Sequence, residues 1–254
     1  MNKYVELATV RENRELRPGL FKMSVKTDNI ARLSLPGQFV HIKIGEELYL
    51  RRPISIFDTN GNDLTFIYEV RGRGTEALSK YTADQKLDIM GPLGNGYTVD
   101  KKFKKAVLVG GGIGIFPLYM PAKYYASSSI SILGFRSKEL MVTTDEFKST
   151  GSEVLVATDD GSYGHHGFVT DILKNEISRG GVDAVLACGP LPMLRGVATT
   201  CHENDIFCEV SMEERMACGI GVCLGCAVKA RVADHEDYLH VCKNGPVFNS
   251  KEVF

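Results

Sequence analysis

The residues with the plainest chemistry lie near the C-terminus, in the pattern Cys218-x4-Cys223-x2-Cys226-x15-Cys242. Three thiols in a short glycine-rich stretch, followed by a distant fourth, supply the soft ligands of a metal centre. C-x4-C-x2-C with a remote fourth cysteine is the spacing of plant-type [2Fe–2S] proteins. A cluster carrying bridging sulfides needs thiolates that converge from a tight loop. Gly219, Gly221 and Gly225 let the chain wrap closely and leave backbone N–H groups free to point at sulfur. The rival reading is a structural zinc site with four cysteine ligands, which is usually built on C-x2-C pairs. The four-residue gap favours iron–sulfur. Cys201 and Cys208 fall outside the pattern and read as small buried residues.

Two further groups of residues suit phosphate and ring recognition. Arg52-Pro53-Ile54-Ser55 can offer a guanidinium to a phosphate and a hydroxyl to a ring nitrogen, although a plain surface turn has the same composition. Gly72-Arg73-Gly74-Thr75 precedes a helix-like stretch, Glu76 to Tyr81, where N–H groups can cradle a pyrophosphate. Gly91-Pro92-Leu93-Gly94-Asn95-Gly96 reads as a tight glycine loop. Gly110-Gly111-Gly112-Ile113-Gly114-Ile115-Phe116-Pro117 follows an apolar strand and opens a helical stretch, the context of a dinucleotide site, but as G-x-G-x-x-P. Cys188-Gly189-Pro190 ends a later strand, at the sheet edge where ligands bind and a thiol can sit beside a nicotinamide. Arg136, at the end of the second strand of that sheet, leaves the choice between NAD and NADP open. Asp159-Asp160-Gly161-Ser162 reads equally well as a solvated turn, and the six histidines form no metal-binding spacing.

The elements that must position these groups fall into three stretches. Residues 1–100 hold short β-branched and aromatic runs, such as 37–44 and 64–70, with a hairpin signal at Asn60-Gly61-Asn62-Asp63. They suggest a small antiparallel barrel or sandwich. Residues 101–210 alternate apolar strands (105–109, 130–135, 153–157, 183–188, 206–210) with helical patterns, notably 167–178 and 190–204. That alternation argues for a parallel sheet covered on both faces. From Ser211 to Phe254 the pattern breaks into glycine and cysteine, a small metal-binding appendage. The fold expected is therefore β plus α/β.

Composition agrees with a globular chain: 44% apolar, 24% charged and a net charge of −1 over 254 residues. No basic block supports nucleic-acid binding, and no apolar run approaches a membrane span. The N-terminus lacks the apolar core of a signal peptide, which places the chain in the cytoplasm, where seven cysteines read as ligands or thiols rather than disulfides.

R-P-I-S, G-R-G-T, G-P-L-G-N-G, G-G-G-I-G-I-F-P, C-G-P and the four cysteines follow the order seen in the ferredoxin-reductase superfamily. The stretches Thr158–Gly164, Gly167–Asp171 and Glu213-Glu214-Arg215-Met216-Ala217-Cys218-Gly219 make the whole chain resemble the electron-transfer subunits of NAD-dependent (type B) dihydroorotate dehydrogenases. The resemblance implies an FAD-binding barrel, an NAD-binding domain and a [2Fe–2S] tail. FAD would be held by Arg52, Pro53, Ile54 and Ser55, completed by Ile67, Tyr68, Glu69, Gly74 and Thr75. Gly110, Gly111, Gly112, Gly114, Cys188 and Gly189 would hold NAD, and Cys218, Cys223, Cys226 and Cys242 the cluster. It also implies a partner subunit carrying FMN, which oxidises dihydroorotate in pyrimidine biosynthesis, in a heterotetramer. Related modules resemble subunits of ferredoxin transhydrogenases and of sulfide or sulfite redox enzymes. A zinc-stabilised nucleotide-binding module and a stand-alone flavin reductase are the readings from other classes.

Overall fold

In the computed structural model, which describes residues 3–232 and 235–254, six strands close an antiparallel barrel. They are β1 (Tyr4–Arg17), β2 (Leu20–Lys26), β3 (Phe39–Lys43), β4 (Arg52–Asn60), β5 (Asp63–Glu69) and β6 (Lys86–Leu93). Around the barrel the order is β1-β2-β5-β4-β3-β6, and β1 returns to β6 through pairs such as Val5 with Met90. Alternation sets the inside. Met23 and Val25 of β2 and Leu64 and Phe66 of β5 are fully buried, each worth about 1.5–3 kcal/mol on leaving water. The hairpin expected at residues 60–63 joins β4 to β5, with Asn60 paired to Asp63 and Gly61 at φ +58°. Two short helices, α1 (Ile30–Leu33) and α2 (Arg73–Ser79), complete this part.

Two sequence expectations shift here. The helix forecast from Glu76 begins at Arg73, because Thr75 Oγ1 accepts the Arg71 N–H at 2.8 Å and fixes the turn earlier. Gly91-Pro92-Leu93 belongs to β6 rather than to a loop. Gly91 pairs with Tyr4, and a Cβ on it would meet Val40 Cγ1 at 2.9 Å, so the glycine serves close strand packing.

The second part is a seven-stranded sheet. Its strands are β7 (Ala106–Gly111), β8 (Ser129–Phe135), β9 (Glu153–Thr158), β10 (His165–His166), β11 (Ala184–Cys188), β12 (Phe207–Ser211) and a last strand, Val247–Asn249. The order is β10-β9-β8-β7-β11-β12 and then the last strand, all parallel except the final pair. Helices alternate with the strands: α3 (Tyr119–Tyr125), α4 (Thr144–Ser149), α5 (Val169–Ser178) and α6 (Leu191–Glu203). Every residue of β11 is buried, as expected of a parallel strand covered on both faces. After Gly111 the chain makes a 3-10 turn, Gly112–Leu118, before α3, so Pro117 sits where no full α-helical hydrogen bond is lost.

Between β12 and the last strand, β13 (Ala227–Val232) and β14 (His235–His240) form a two-stranded ribbon; the last strand is β15, followed by α7 (Ser250–Val253). The chain divides into two compact units: Met1–Gly96 with Glu213–Val228 and Leu239–Pro246, and Tyr97–Met212 with Lys229–Tyr238 and Val247–Phe254. The stretch from Ser211 onward thus contributes to both. Among the described residues, no helix is long and apolar enough to cross a membrane.

Candidate functional site

The four cysteines come together as two pairs. Cys223 Sγ lies 3.3 Å from Cys218 Sγ, both half-buried. Cys226 and Cys242 are buried beside each other. The fifteen-residue gap is closed by the Val241 N–H, which donates to the Cys226 carbonyl at 3.0 Å. Gly219 and Gly221 adopt φ of +69° and +81°, turns that L side chains rarely make. They aim N–H groups inward. Burial opposes ionisation of Cys218, but the N–H groups of Ile220, Cys223 and Val222 and the Cys223 thiol outweigh it and bring the thiol down to about 6. Cys242 is pushed up to about 12, chiefly by burial and then by Cys226. Among the described residues no three His, Cys, Asp or Glu side chains group as ligands of a single metal ion. Two thiol pairs are the donor set of a dinuclear cluster, two thiolates to each iron, and preformed N–H donors at sulfur suit it. These residues fit a [2Fe–2S] group.

Two groups that the sequence did not single out hold this loop. His41 of β3 is buried against Gly219, whose missing Cβ would fall on the imidazole, 3.1 Å from Cε1 and 3.2 Å from Cγ. Burial and the neighbouring Arg51 charge lower the His41 pKa to about 4, so the ring is neutral. Its signal was available: a histidine inside the buried run Phe39–Ile42, among apolar neighbours. Asn95, in the glycine stretch after β6, receives the end of the cysteine segment. Its N–H donates to the Gly245 carbonyl at 2.6 Å and its Nδ2 to the Asn244 carbonyl at 2.7 Å.

On β4, burial does not alternate across Arg52, Pro53, Ile54 and Ser55; all four are half-buried, which leaves this stretch open to a ligand. Arg52 reaches over the start of α2, where its guanidinium occupies the space a Gly74 side chain would need, with Cζ 2.7 Å from the ideal Cβ position. It also donates to the Leu50 carbonyl. Thr75 closes the turn below it. A guanidinium seated on a helix-start glycine is a cradle that fits a pyrophosphate. Ile67 and Tyr68 are buried, and the Tyr68 hydroxyl donates to Asn13 Oδ1 at 3.1 Å. Asn13 in turn donates to the carbonyls of Leu78 and Ser79, so Tyr68 is committed to holding α2. Glu69 pairs with Arg71 at 2.8 Å and Arg17 at 3.5 Å.

In the sheet, β7 lies between β8 and β11, so the strand order reverses beside β7, the position at which open α/β sheets bind ligands. Gly110 pairs with Cys188 there, which brings the two predicted nucleotide segments together. A Cβ on Gly114 would meet the Cys188 carbonyl oxygen at 2.6 Å and Gly189 Cα at 2.7 Å. Met193, absent from the sequence reading, lies on Gly111 and Gly189 with Sδ 2.7 Å and Cε 2.7 Å from their ideal Cβ positions. Gly112, at φ +58°, has open space before it. The Tyr97 hydroxyl donates to the Ala187 carbonyl at 3.0 Å and steadies the end of β11. This edge fits a dinucleotide. By contrast, Asp160 accepts from Ser162 N and Oγ at 2.9 and 2.6 Å in a turn tied to the end of β8, where the Asp160 N–H donates to the Arg136 carbonyl at 3.2 Å, and Arg136 is exposed. Cys201 and Cys208 are buried beside each other in the other part of the sheet.

Residues 213–254 match the family model described as the iron–sulfur cluster binding domain of dihydroorotate dehydrogenase B. Over 260 residues, covering 98% of each chain, the protein is 42% identical to the dihydroorotate dehydrogenase B (NAD(+)) electron transfer subunit of Fusobacterium nucleatum subsp. nucleatum. The Bacillus pumilus subunit of the same name is 40% identical, covering 96% of each chain. Among solved structures, a chain of an NADH-dependent reduced ferredoxin–NADP oxidoreductase superposes with a TM-score of 0.83 at 30% identity, covering 98% of this chain and 90% of that one. With this identity sustained over nearly its whole length, the chain belongs to the family of dihydroorotate dehydrogenase B electron transfer subunits.

Proposed function

We propose that this chain is the electron-transfer subunit of an NAD-dependent dihydroorotate dehydrogenase, passing electrons from a partner FMN-bearing catalytic subunit to NAD⁺ in pyrimidine biosynthesis. The observation that carries this reading is the 42% identity, over 98% of both chains, to a subunit of that name. A cluster exchanges single electrons, a nicotinamide a hydride, and a flavin either, so FAD belongs between the other two. Cys218, Cys223, Cys226 and Cys242 hold the [2Fe–2S] cluster, and the N–H groups of residues 220, 222 and 223 point at sulfur. Arg52 and the Gly74-Thr75 turn hold the FAD pyrophosphate, and Pro53, Ile54 and Ser55 line its ring with Ile67, Tyr68 and Glu69. Gly110, Gly111, Gly112, Gly114, Cys188 and Gly189 receive NAD. Val222 and Leu224, each 78% exposed, flank Cys223. Large apolar side chains standing out from a cluster loop suit a surface that a partner covers, which supports docking at the loop. The assembly with the catalytic subunit is a cytoplasmic heterotetramer.

The second reading, a subunit of a ferredoxin transhydrogenase, draws on the 30% identity and TM-score of 0.83 to the ferredoxin–NADP oxidoreductase chain. The higher identity to the dihydroorotate dehydrogenase subunits favours the first. Co-expression with the FMN-bearing catalytic subunit, followed by purification and a dihydroorotate-driven NAD⁺ reduction assay, tests it. A stable complex with that activity is expected. Failure to bind the catalytic subunit, together with ferredoxin-dependent NADP reduction by the isolated chain, would establish the second reading.

A further inference from the structure

His41 is fully buried, and among the described residues neither ring nitrogen finds a hydrogen-bond partner of normal geometry. Native proteins seldom leave buried polar atoms unmet, so each such atom calls for a specific explanation. The Arg51 backbone carbonyl approaches the ring and favours its protonated form, without the geometry of a completed hydrogen bond. The atom turned toward the cysteine loop is Nδ1, the one nearest to where a Gly219 side chain would begin. Gly219 directly follows Cys218 and takes a left-handed conformation that carries the loop onto the ring. In the β3–β4 pairing His41 stands opposite Pro53, in the middle of the Arg52–Ser55 stretch. The imidazole thus lies against the loop that gathers the thiols, on the strand next to the one that offers itself to the flavin.

We propose that His41 Nδ1–H donates a hydrogen bond to a sulfur of the iron–sulfur cluster held by the cysteine loop and thereby raises the cluster's reduction potential. This rests on the iron–sulfur reading above. A donor at sulfur stabilises the reduced cluster, which carries one more negative charge, and hydrogen bonds to sulfur are among the levers that set such potentials. The same contact meets the need of a buried nitrogen that nothing else in the described chain meets.

The test uses the full chain purified with its cofactors. In protein labelled with ¹⁵N-histidine, pulsed electron paramagnetic resonance of the reduced cluster is expected to show a coupled histidine nitrogen. His41→Phe keeps the ring volume and removes the donor. The coupling should vanish, and the reduced-to-oxidised ratio of the cluster at fixed potential should fall about tenfold, a midpoint drop of about 59 mV for one electron. The flavin midpoint should stay in place, and His41→Gln should recover part of the shift. Absence of any histidine coupling in the wild-type cluster overturns the inference, and this measurement decides the matter even if the variants fail to load iron. A His41→Phe chain with full iron and sulfide and an unchanged cluster midpoint also overturns it, as does a shift confined to the flavin. A wild-type chain lacking acid-labile sulfide overturns the iron–sulfur reading and this inference with it.

Discussion

Gly219→Ala tests the geometry of the cysteine loop most directly, because two separate costs are visible at that position. Alanine at φ +69° must hold a left-handed conformation, which costs about 1–2 kcal/mol. Its Cβ must also displace the His41 imidazole, which is fully buried and has nowhere to retreat; overpacking of this kind costs about 1–3 kcal/mol. The sum is about 2–5 kcal/mol, which lowers Tm by on the order of 10 °C in a chain of this size. Gly61 supplies an internal control. It shares the left-handed conformation at φ +58°, and an added Cβ would meet nothing within 4 Å. Gly61→Ala should therefore cost the backbone share alone. Denaturant unfolding followed by fluorescence, with iron counted per chain, measures all of this. In a His41→Ala background the steric share should vanish, so that Gly219→Ala then costs no more than Gly61→Ala, a coupling of about 1–3 kcal/mol. Equal costs for Gly219→Ala with and without the imidazole would refute the packing argument.

Three other outcomes follow from the same geometry. Gly74→Ala places a methyl on the Arg52 guanidinium and should release flavin, read as a rise in free FAD fluorescence on dilution with little change in Tm; retained flavin would mean that Arg52 does not hold it. Gly114→Ala meets only backbone, the Cys188 carbonyl and Gly189 Cα, and should raise KM for NAD⁺ about tenfold or more while flavin content holds; an unchanged KM would remove this edge from the nucleotide site. Glu209 is buried on β12, and its pKa is raised by burial despite hydrogen bonds from Thr98 N and Oγ1, both at 2.7 Å. A carboxyl whose folded pKa lies above its unfolded value stabilises below the unfolded pKa, and that contribution is lost as pH rises through the folded one. Glu209→Gln should therefore gain Tm relative to the parent between pH 4 and pH 7; a difference independent of pH would contradict the assignment.

The fold was legible where side-chain period and burial agree. The runs 130–135, 153–157 and 183–188 became β8, β9 and β11 within a residue or two, because strands buried on both faces are continuous apolar runs. The cysteine set was legible because its spacing is local. What escaped has non-local causes. Val247–Asn249 is too short to announce a strand, and only β12 makes it one. Gly91 looked like a turn glycine, whereas the Val40 side chain on the neighbouring strand β3 explains it. His41 and Asn95 act on the cysteine segment across more than a hundred residues of sequence, and no local pattern encodes such a contact. Met193 likewise matters through Gly111, which lies far from it in sequence and on a different strand from the one that leads into its helix.

The long gap before Cys242 has a physical consequence for how the thiols are held. The excursion that carries the cysteines leaves the sheet after Ser211 and returns at Val247, and these two residues are partners in the β12–β15 pairing. Its base is therefore closed by backbone hydrogen bonds and by the burial of Val210, Val247 and Phe248. Closing so long a flexible loop costs about 3 kcal/mol of chain entropy, and burial of apolar side chains at about 1.5–3 kcal/mol each is enough to offset it. Further along, Asn95 fixes residues 244 and 245, and the Val241 N–H is bound to the Cys226 carbonyl. Cys242 is thus brought to Cys226 by main-chain contacts on both sides of it, before any metal is considered. Binding energy that an unstructured cysteine loop would spend on ordering itself is left for the sulfur–iron bonds. The separation in sequence that makes the fourth ligand look remote is what allows the two thiol pairs to be anchored independently.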